Sequence, residues 1–419
     1  MRTRGGRAAL AVAGLLAVLL AFPWAPGWTQ AREPIRIGLI FPLTGVFAAN
    51  GRDSVNGFQM FWEEKGNAVA GRRVEIVVED DVNVPANSLT KARKLVEQDR
   101  VHLLVGPLSA ASGLALVDYV NSGRVPTVYP IVSADDITQR RRSPYIVRLG
   151  WTSSQVNHPF GDWVIRNTRY RRVATIGYDF AFGHENVGGF QRVFEELGGR
   201  VVQKLWPPIG APDYGPYLAQ LRRDIDAVYA IFSGADALRF LAQYRDFGLK
   251  GRIPLIGGGT LTDEHVLYQM GDEALDIVTP LHYSAALNTP ENRAFASAYA
   301  RKFQRPPSYY SENSYTAARL VYEALVQLRG NVEDKEALLS ALRRVRVADA
   351  PRGPISMDAY GNPIQNVYIR RVERRGGILQ NTVIYTYERV SQFWKYDPQE
   401  FLRQPVYSRD FPPCRYCGQ

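Results

Sequence analysis

The chain predicts an α/β fold of two doubly wound lobes around a central cleft, each with a mainly parallel sheet. Three observations carry this. From Ile35 onward, short apolar, β-branched runs alternate with segments of helical spacing, the pattern of parallel strands covered by helices on both faces. The alternation stops after "RLGWTSSQ" and restarts near residue 172. In each half a strand ends on small residues just before a helix, "VGPLSAAS" at 105–112 and "FSGADA" at 232–237. In doubly wound sheets ligands sit at the carboxyl ends of strands, so two lobes whose strand ends face each other make a cleft.

Taken in order, "IRIGLIF" is a buried first strand, followed by a Pro-Leu-Thr-Gly turn and the helix "DSVNGFQMFWEEKG". "RRVEIVVEDD" is the second strand, and "ANSLTKARKLVEQD" a helix with Asn87 or Ser88 placed as its cap. "VHLLVGP" and "VPTVYP" are strands three and four. The second half repeats the scheme with strands "RRVATIGYD", "RVVQKLWPP", "IDAVYAIFSG" and "IPLIGGG". The helices between them are "GHENVGGFQRVFEELGG", "YGPYLAQLRRD" and "ADALRFLAQYRDFGL". In "GGGTLTDE", Thr262 or Asp263 is placed to cap another helix. After residue 350 the pattern alternates with a period of two and carries the turns YGNP and RRGG, an antiparallel hairpin. The last segment, 391–419, is rich in Pro and aromatics, and its Trp394, Phe401 and Tyr407 are expected to lie against a lobe surface.

The N-terminus is a targeting segment rather than part of the fold. "MRTRGGR" is a basic stretch, Ala8 to Phe22 is a 15-residue apolar run, and Pro23 ends it. A membrane span needs about 20 residues. "TQA" at 29–31 suits a signal peptidase, so residues 1–31 are read as a signal peptide cut after Ala31 or a few residues earlier. The segment takes three arginines and no acid with it, lowering the formal charge from +10 to about +7. The remaining basic residues are interspersed with acids, and the dense runs "QRRRS" (139–143) and "RRVERR" (370–375) read as solvated surface, not a nucleic-acid footprint. The two cysteines, Cys414 and Cys417, lie in the tail as a local disulfide or free thiols.

No catalytic constellation assembles. The five histidines form neither HxxxH nor HExxH, and neither GxSxG nor GxxxxGK[ST] occurs. "EDD" at 79–81 is a loop at a strand end. No enzyme activity, metal site or cofactor is expected.

Several blocks in order carry a resemblance: "IRIGLIFPLTGVFAANGRDSVNGFQMFWEEKG", "VEIVVEDDVNVPANSLTKARKLVEQDRVHLLVGPLSAA", "VPTVYPIVSADDIT", "RRVATIGYDFAFGHENVGGFQRVFEELGG" and "DYGPYLAQLRRDIDAVYAIFSGADALRFLAQYRDFGLK". Over about residues 33–375 the chain resembles the type I periplasmic substrate-binding proteins of ABC transporters, leucine/isoleucine/valine-binding class. The resemblance implies two lobes joined by three crossovers that close on a small-molecule ligand, without chemistry. It implies an N-terminal lobe of 33–150 plus 281–352, a second lobe of 151–280 plus 353–390, and a C-terminal extension over 391–419. It implies a periplasmic monomer that docks on permease subunits in the inner membrane. A sensor feeding a membrane receptor would use the same cleft.

The same resemblance implies site positions. The serine that meets a ligand carboxylate falls at Ala110, with Ser109 before it and Ala111 after it. The next contacts fall at Val132 and Ser133, the aromatic wall of the second lobe at Phe182, and a further contact at Ser233. The acid that holds an α-ammonium falls at Gly258, and an N-lobe aromatic at Asn50. Gly258 supplies no charge and Ala110 no hydroxyl, whereas a buried ammonium needs acceptors. An aromatic or branched organic acid is therefore the expected ligand. The alternative is a branched-chain amino acid or amide held through Asp236 or Glu264. Phe47 and Tyr129 are further aromatic candidates, although Tyr129 also suits a plain core position.

Overall fold

Two sheets organise the molecule, a computed structural model that describes residues 32–418. The proposed signal peptide lies outside the described residues. From Pro34 onward the chain forms one compact unit. In the first sheet, β1 (Ile35–Phe41), β2 (Ala68–Val69), β3 (Arg72–Asp80), β4 (Leu103–Val105), β5 (Thr127–Tyr129) and β6 (Ile146–Arg148) lie in the order β2-β3-β1-β4-β5-β6. All neighbours are parallel except the short β2–β3 pair. Central strands β1, β4 and β5 are buried almost throughout, which is why they appear as continuous apolar runs.

The second sheet holds β7 (Arg172–Gly177), β8 (Arg200–Leu205), β9 (Ala227–Ile231), β10 (Leu255–Gly257), β11 (Val278–Leu281), β12 (Ser356–Met357), β13 (Pro363–Arg375) and β14 (Ile378–Val390). Its order is β12-β13-β11-β10-β9-β7-β8, with β14 also on β13. The β7 to β11 neighbours are parallel, and β13 and β14 form the antiparallel hairpin turned by Gly376-Gly377. The chain is thus an α/β protein of two lobes with mainly parallel sheets.

Helices α1 (Ala48–Glu64), α2 (Pro85–Arg93), α3 (Ala110–Gly123), α4 (Ser153–Asn167), α5 (Ala181–Glu196), α6 (Gly215–Ala219), α7 (Gly234–Asp246), α8 (Glu264–Leu267), α9 (Pro290–Phe303), α10 (Tyr309–Gln327), α11 (Lys335–Arg344) and α12 (Pro398–Arg403) cover the sheets. α10 packs along α1, so a late part of the chain returns to the first lobe. None of the described helices is long and apolar enough to cross a membrane.

Two caps differ from expectation. α2 starts at Pro85, whose fixed φ suits a first helical turn. Ser88 lies inside the helix and spends its hydroxyl on Asp81 Oδ2, 2.6 Å away. Asp263 precedes α8, but its carboxylate makes no cap bond and turns instead to Arg370 and His265. The "EDD" stretch knits its loop: Asp80 accepts from Leu43 N–H at 2.8 Å and Thr44 Oγ1 at 2.7 Å.

The tail lies along the second lobe and also reaches the first, where Arg140 donates to Gln404 O at 2.7 Å. Phe401 and Tyr407 are buried, Tyr407 OH meets His158 Nε2 at 3.0 Å, and Trp394 packs edge-on to Tyr387. Lys204 Nζ and Gln191 Nε2 donate to the carbonyls of Pro412 and Pro413. Cys414 and Cys417 are joined as a disulfide.

Candidate functional site

The strand ends of both sheets converge on one cavity, lined by Phe47, Leu108, Ser109, Ala110, Ile131, Ser133, Tyr178, Phe180, Phe182, Ser233, Tyr309 and Tyr310. Its volume is about 30 Å³. β4 leads through Gly106-Pro107 to Ser109. Gly106 has φ +98°, and a side chain there would meet Ile40 O at 2.2 Å, so only glycine lets the chain turn this closely over β1. Ser109 is the N-cap of α3 and accepts from Ser112 N–H at 3.2 Å. The N–H groups of Ala110 and Ala111 belong to the first turn and have no acceptor within the helix. A cap and a cavity wall are thus the same residue.

β5 delivers Ser133. Its Oγ accepts from Ser153 Oγ at 3.0 Å, and its carbonyl accepts from Ser153 N–H at 2.8 Å. The Ser133 hydroxyl proton is left free to donate. On the opposite lobe, β9 delivers Ser233, whose Oγ accepts from Asn50 Nδ2 at 2.8 Å and shares a bond with Tyr310 OH at 2.8 Å. Tyr178 OH donates to Ser233 O at 3.0 Å. Behind Ser233, Gly234 N–H donates to His265 Nε2 at 3.3 Å, so the ring proton sits on Nδ1 and faces Asp263 Oδ2 at 3.2 Å. Burial pushes His265 down to about 4, which keeps this ring neutral.

The remaining wall is aromatic. Phe180 and Phe182 stack at 6.1 Å, Tyr178 meets Phe47 edge-on, and Tyr309 and Tyr310 have ring centroids 3.9 Å apart. The two tyrosines open α10, whose cap Ser308 donates to Asp53 of α1. Arg305 and Tyr299 close on the same carboxylate. This buried anchor sets where the start of α10 stands.

The structure brings Ser109, Ala110, Ser133, Phe182 and Ser233 together at the cavity. Ala111 follows in the same helical turn without lining it. Asn50 stands one bond behind, holding Ser233. Val132 turns into the core against Gly113, and Gly258 lies beside Ile231 and Asn186, away from the lining. Tyr129 is a core residue that donates to Gly113 O at 3.0 Å. Tyr178, Phe180, Tyr309 and Tyr310 were not foreseen. For the last two, the available signal was paired aromatics in the first turn of a Ser-capped helix.

Among the described residues no ionised side chain lines the cavity. Asp236 is buried and engaged with Arg239 at 2.7 Å and Gly210 N–H at 2.8 Å. Glu264 accepts from Ala285 N–H at 3.2 Å and lies 3.8 Å from Arg370. Burial, with repulsion from Asp263, pushes Glu264 up to about 8.

Comparison with known proteins agrees with this geometry. A family model described as "Periplasmic binding protein" matches residues 34–377. The Leu/Ile/Val-binding protein homolog 6 of Brucella melitensis is 29% identical over 382 residues, covering 89% of this chain and 96% of that protein. An ABC transporter substrate-binding protein from Sphaerobacter thermophilus is 34% identical, with TM-score 0.79, over 86% of this chain and 99% of that one. A solute-binding protein of an ABC transporter from Rhodopseudomonas palustris BisB5, solved with 3,4-dihydroxy benzoic acid, is 32% identical, with TM-score 0.81, over 86% and 98%. Strand ends meeting from two lobes around an uncharged cavity, together with these matches, place the chain in the periplasmic binding protein family, as a type I substrate-binding protein of ABC transporters.

Proposed function

We propose that this protein captures a small aromatic or branched carboxylate in the periplasm and delivers it to the permease of an ABC importer. The observation that carries the ligand class is the lining: hydroxyls and a helix N-terminus, with no carboxylate for an α-ammonium. The ligand carboxylate lies against Ser109, Ser133 and the first-turn N–H groups of α3. Its apolar body lies among Phe47, Phe180, Phe182 and Tyr309 once these rings move apart, since about 30 Å³ is the room of one water. The Rhodopseudomonas palustris relative solved with a dihydroxybenzoic acid supports this class. Residues 33–150 plus 281–352 and residues 151–280 plus 353–390 act as the two closing bodies.

The Brucella relative's name favours a second reading, a branched-chain amino acid. A thermal-shift panel separates the two. It holds benzoates, phenylpropanoates, branched aliphatic acids, amino acids and amides. A ligand that binds only the folded state adds about 2.7 kcal/mol at a hundredfold excess over its Kd. Amino-free acids should shift the midpoint more than their α-amino counterparts, phenylpropanoate more than phenylalanine. A largest shift from leucine, isoleucine or valine would overturn the proposed class. A shift from a neutral amide alone would remove the carboxylate cradle.

A further inference from the structure

Two basic runs far apart in the chain meet in space. Arg140, Arg142 and Ser143 of "QRRRS", with Arg343 in the last turn of α11 and Arg346 just beyond it, border one groove beside β6. β6 is the last strand of its sheet, so no further strand covers its outer side. The groove has a volume of about 740 Å³. That lies within the roughly 300–1,000 Å³ of small-molecule sites. It shares no lining residue with the central cavity.

Its floor is apolar, formed by Ile146, Leu149, Leu342, Val347 and Ile355. Its rim carries three exposed guanidiniums, on Arg142, Arg343 and Arg346. Arg142 lies over the Tyr360 ring at 4.8 Å. Arg343 donates to Pro144 O, and Arg346 donates to the carbonyls of Arg343 and Arg344. Among the described residues none of the three meets a carboxylate. The one acid in the lining, Asp358, is already engaged by the N–H groups of Tyr360 and Asn362 and by Gln392 Nε2. Neighbouring Arg140 differs, being paired with Asp136 at 2.9 Å. The groove thus offers an apolar bed and a net positive rim, three guanidiniums beside one carboxylate.

We propose that this groove is a second ligand site, for an amphiphilic carboxylate whose aliphatic chain lies on the floor and whose head meets Arg142, Arg343 and Arg346. A guanidinium fork matches a carboxylate in two parallel charge-assisted bonds, which a quaternary ammonium head cannot make.

The purified protein is titrated calorimetrically with sodium decanoate below its micelle concentration. Decanoate should bind at one site per chain, and decyltrimethylammonium should not bind. The double variant R343E/R346E should weaken decanoate at least tenfold, and R142E should weaken it severalfold. Ser133→Ala, in the central cavity, should leave decanoate unchanged. Equal decanoate affinity in wild type, R142E and R343E/R346E would overturn the proposal. So would a loss confined to Ser133→Ala, which would put decanoate in the central cavity. Retention on phosphatidylglycerol vesicles without uptake of free decanoate would also overturn it, in favour of a membrane contact.

Discussion

Ser133→Ala tests the carboxylate cradle because the structure separates its effects on folding and on binding. In the folded protein the Ser133 hydroxyl serves only as an acceptor for Ser153 Oγ. When it is removed, Ser153 Oγ still has Ser133 O at 3.1 Å, and the backbone bond at 2.8 Å is untouched. Losing a neutral bond whose donor keeps another acceptor costs at most about 1 kcal/mol of stability. The bound state loses more, because the free hydroxyl proton is the one that faces a carboxylate. A hydrogen bond to a charged group contributes about 1.5–3 kcal/mol, roughly 10- to 150-fold in Kd. Ser109→Ala is the informative comparison. It removes a ligand contact and also the cap of α3, so it should cost a further 0.5–2 kcal/mol, approximately, in unfolding free energy. The assay is titration calorimetry with the acid that gives the largest thermal shift, beside urea unfolding without ligand. The expected pattern is a binding defect alone for Ser133→Ala and both defects for Ser109→Ala. Equal affinities for wild type and Ser133→Ala would refute the reasoning.

Deletion from Ser391 exposes the surface now covered by Phe401 and Tyr407, each worth about 1.5–3 kcal/mol when fully buried, so the melting temperature should drop clearly. Ligand affinity should stay within about threefold, since distant sites act nearly independently; a larger loss on calorimetry would mean that the tail reaches the cavity. Gly113→Ala places a methyl 2.4 Å from Val132 Cγ1, so α3 must shift, at a cost of about 1–3 kcal/mol in urea unfolding. Glu264 is raised to about 8 by burial, so the native state holds its proton between the ordinary carboxyl range and pH 8 while the unfolded chain does not. Its contribution is therefore present at low pH and lost as pH rises through 8. Glu264→Gln should gain stability relative to wild type between pH 5 and pH 8, and parallel unfolding curves at the two pH values would contradict this.

The alternation of strands and helices was legible because parallel strands buried on both faces leave unbroken apolar runs, as in β1 and β9. The segments holding Ser109 and Ser233 stood out because each follows a strand end, where doubly wound sheets place ligands, whereas Ser133 and Phe182 came from the family resemblance. Tyr309 and Tyr310 follow no strand. They reach the cavity only because α10 packs on α1 and Asp53 anchors its first turn, a relation across more than 250 residues that local pattern does not encode. Ser88 misled for a chemical reason, since a serine near a helix start resembles a cap until its hydroxyl is found on Asp81. Gly258 and Val132 occupy expected turns, but Gly258 faces Ile231 and the Val132 side chain packs on Gly113.

The bond from Asn50 Nδ2 to Ser233 Oγ joins a helix of one lobe to a strand end of the other, and Tyr310 OH makes a second such bridge. Under the proposed closure both form when the two bodies come together; Asn50 lies outside the cavity lining, whereas Ser233 and Tyr310 belong to it. In a thermodynamic cycle they belong to the closing step, which every guest shares. Weakening the bridge at Asn50 should multiply all dissociation constants by one common factor and leave their ratios as they were. Overall tightness and choice among guests are then set by different residues, so mutation can tune capture strength through Asn50 while preference stays with the serines and rings that face the cavity.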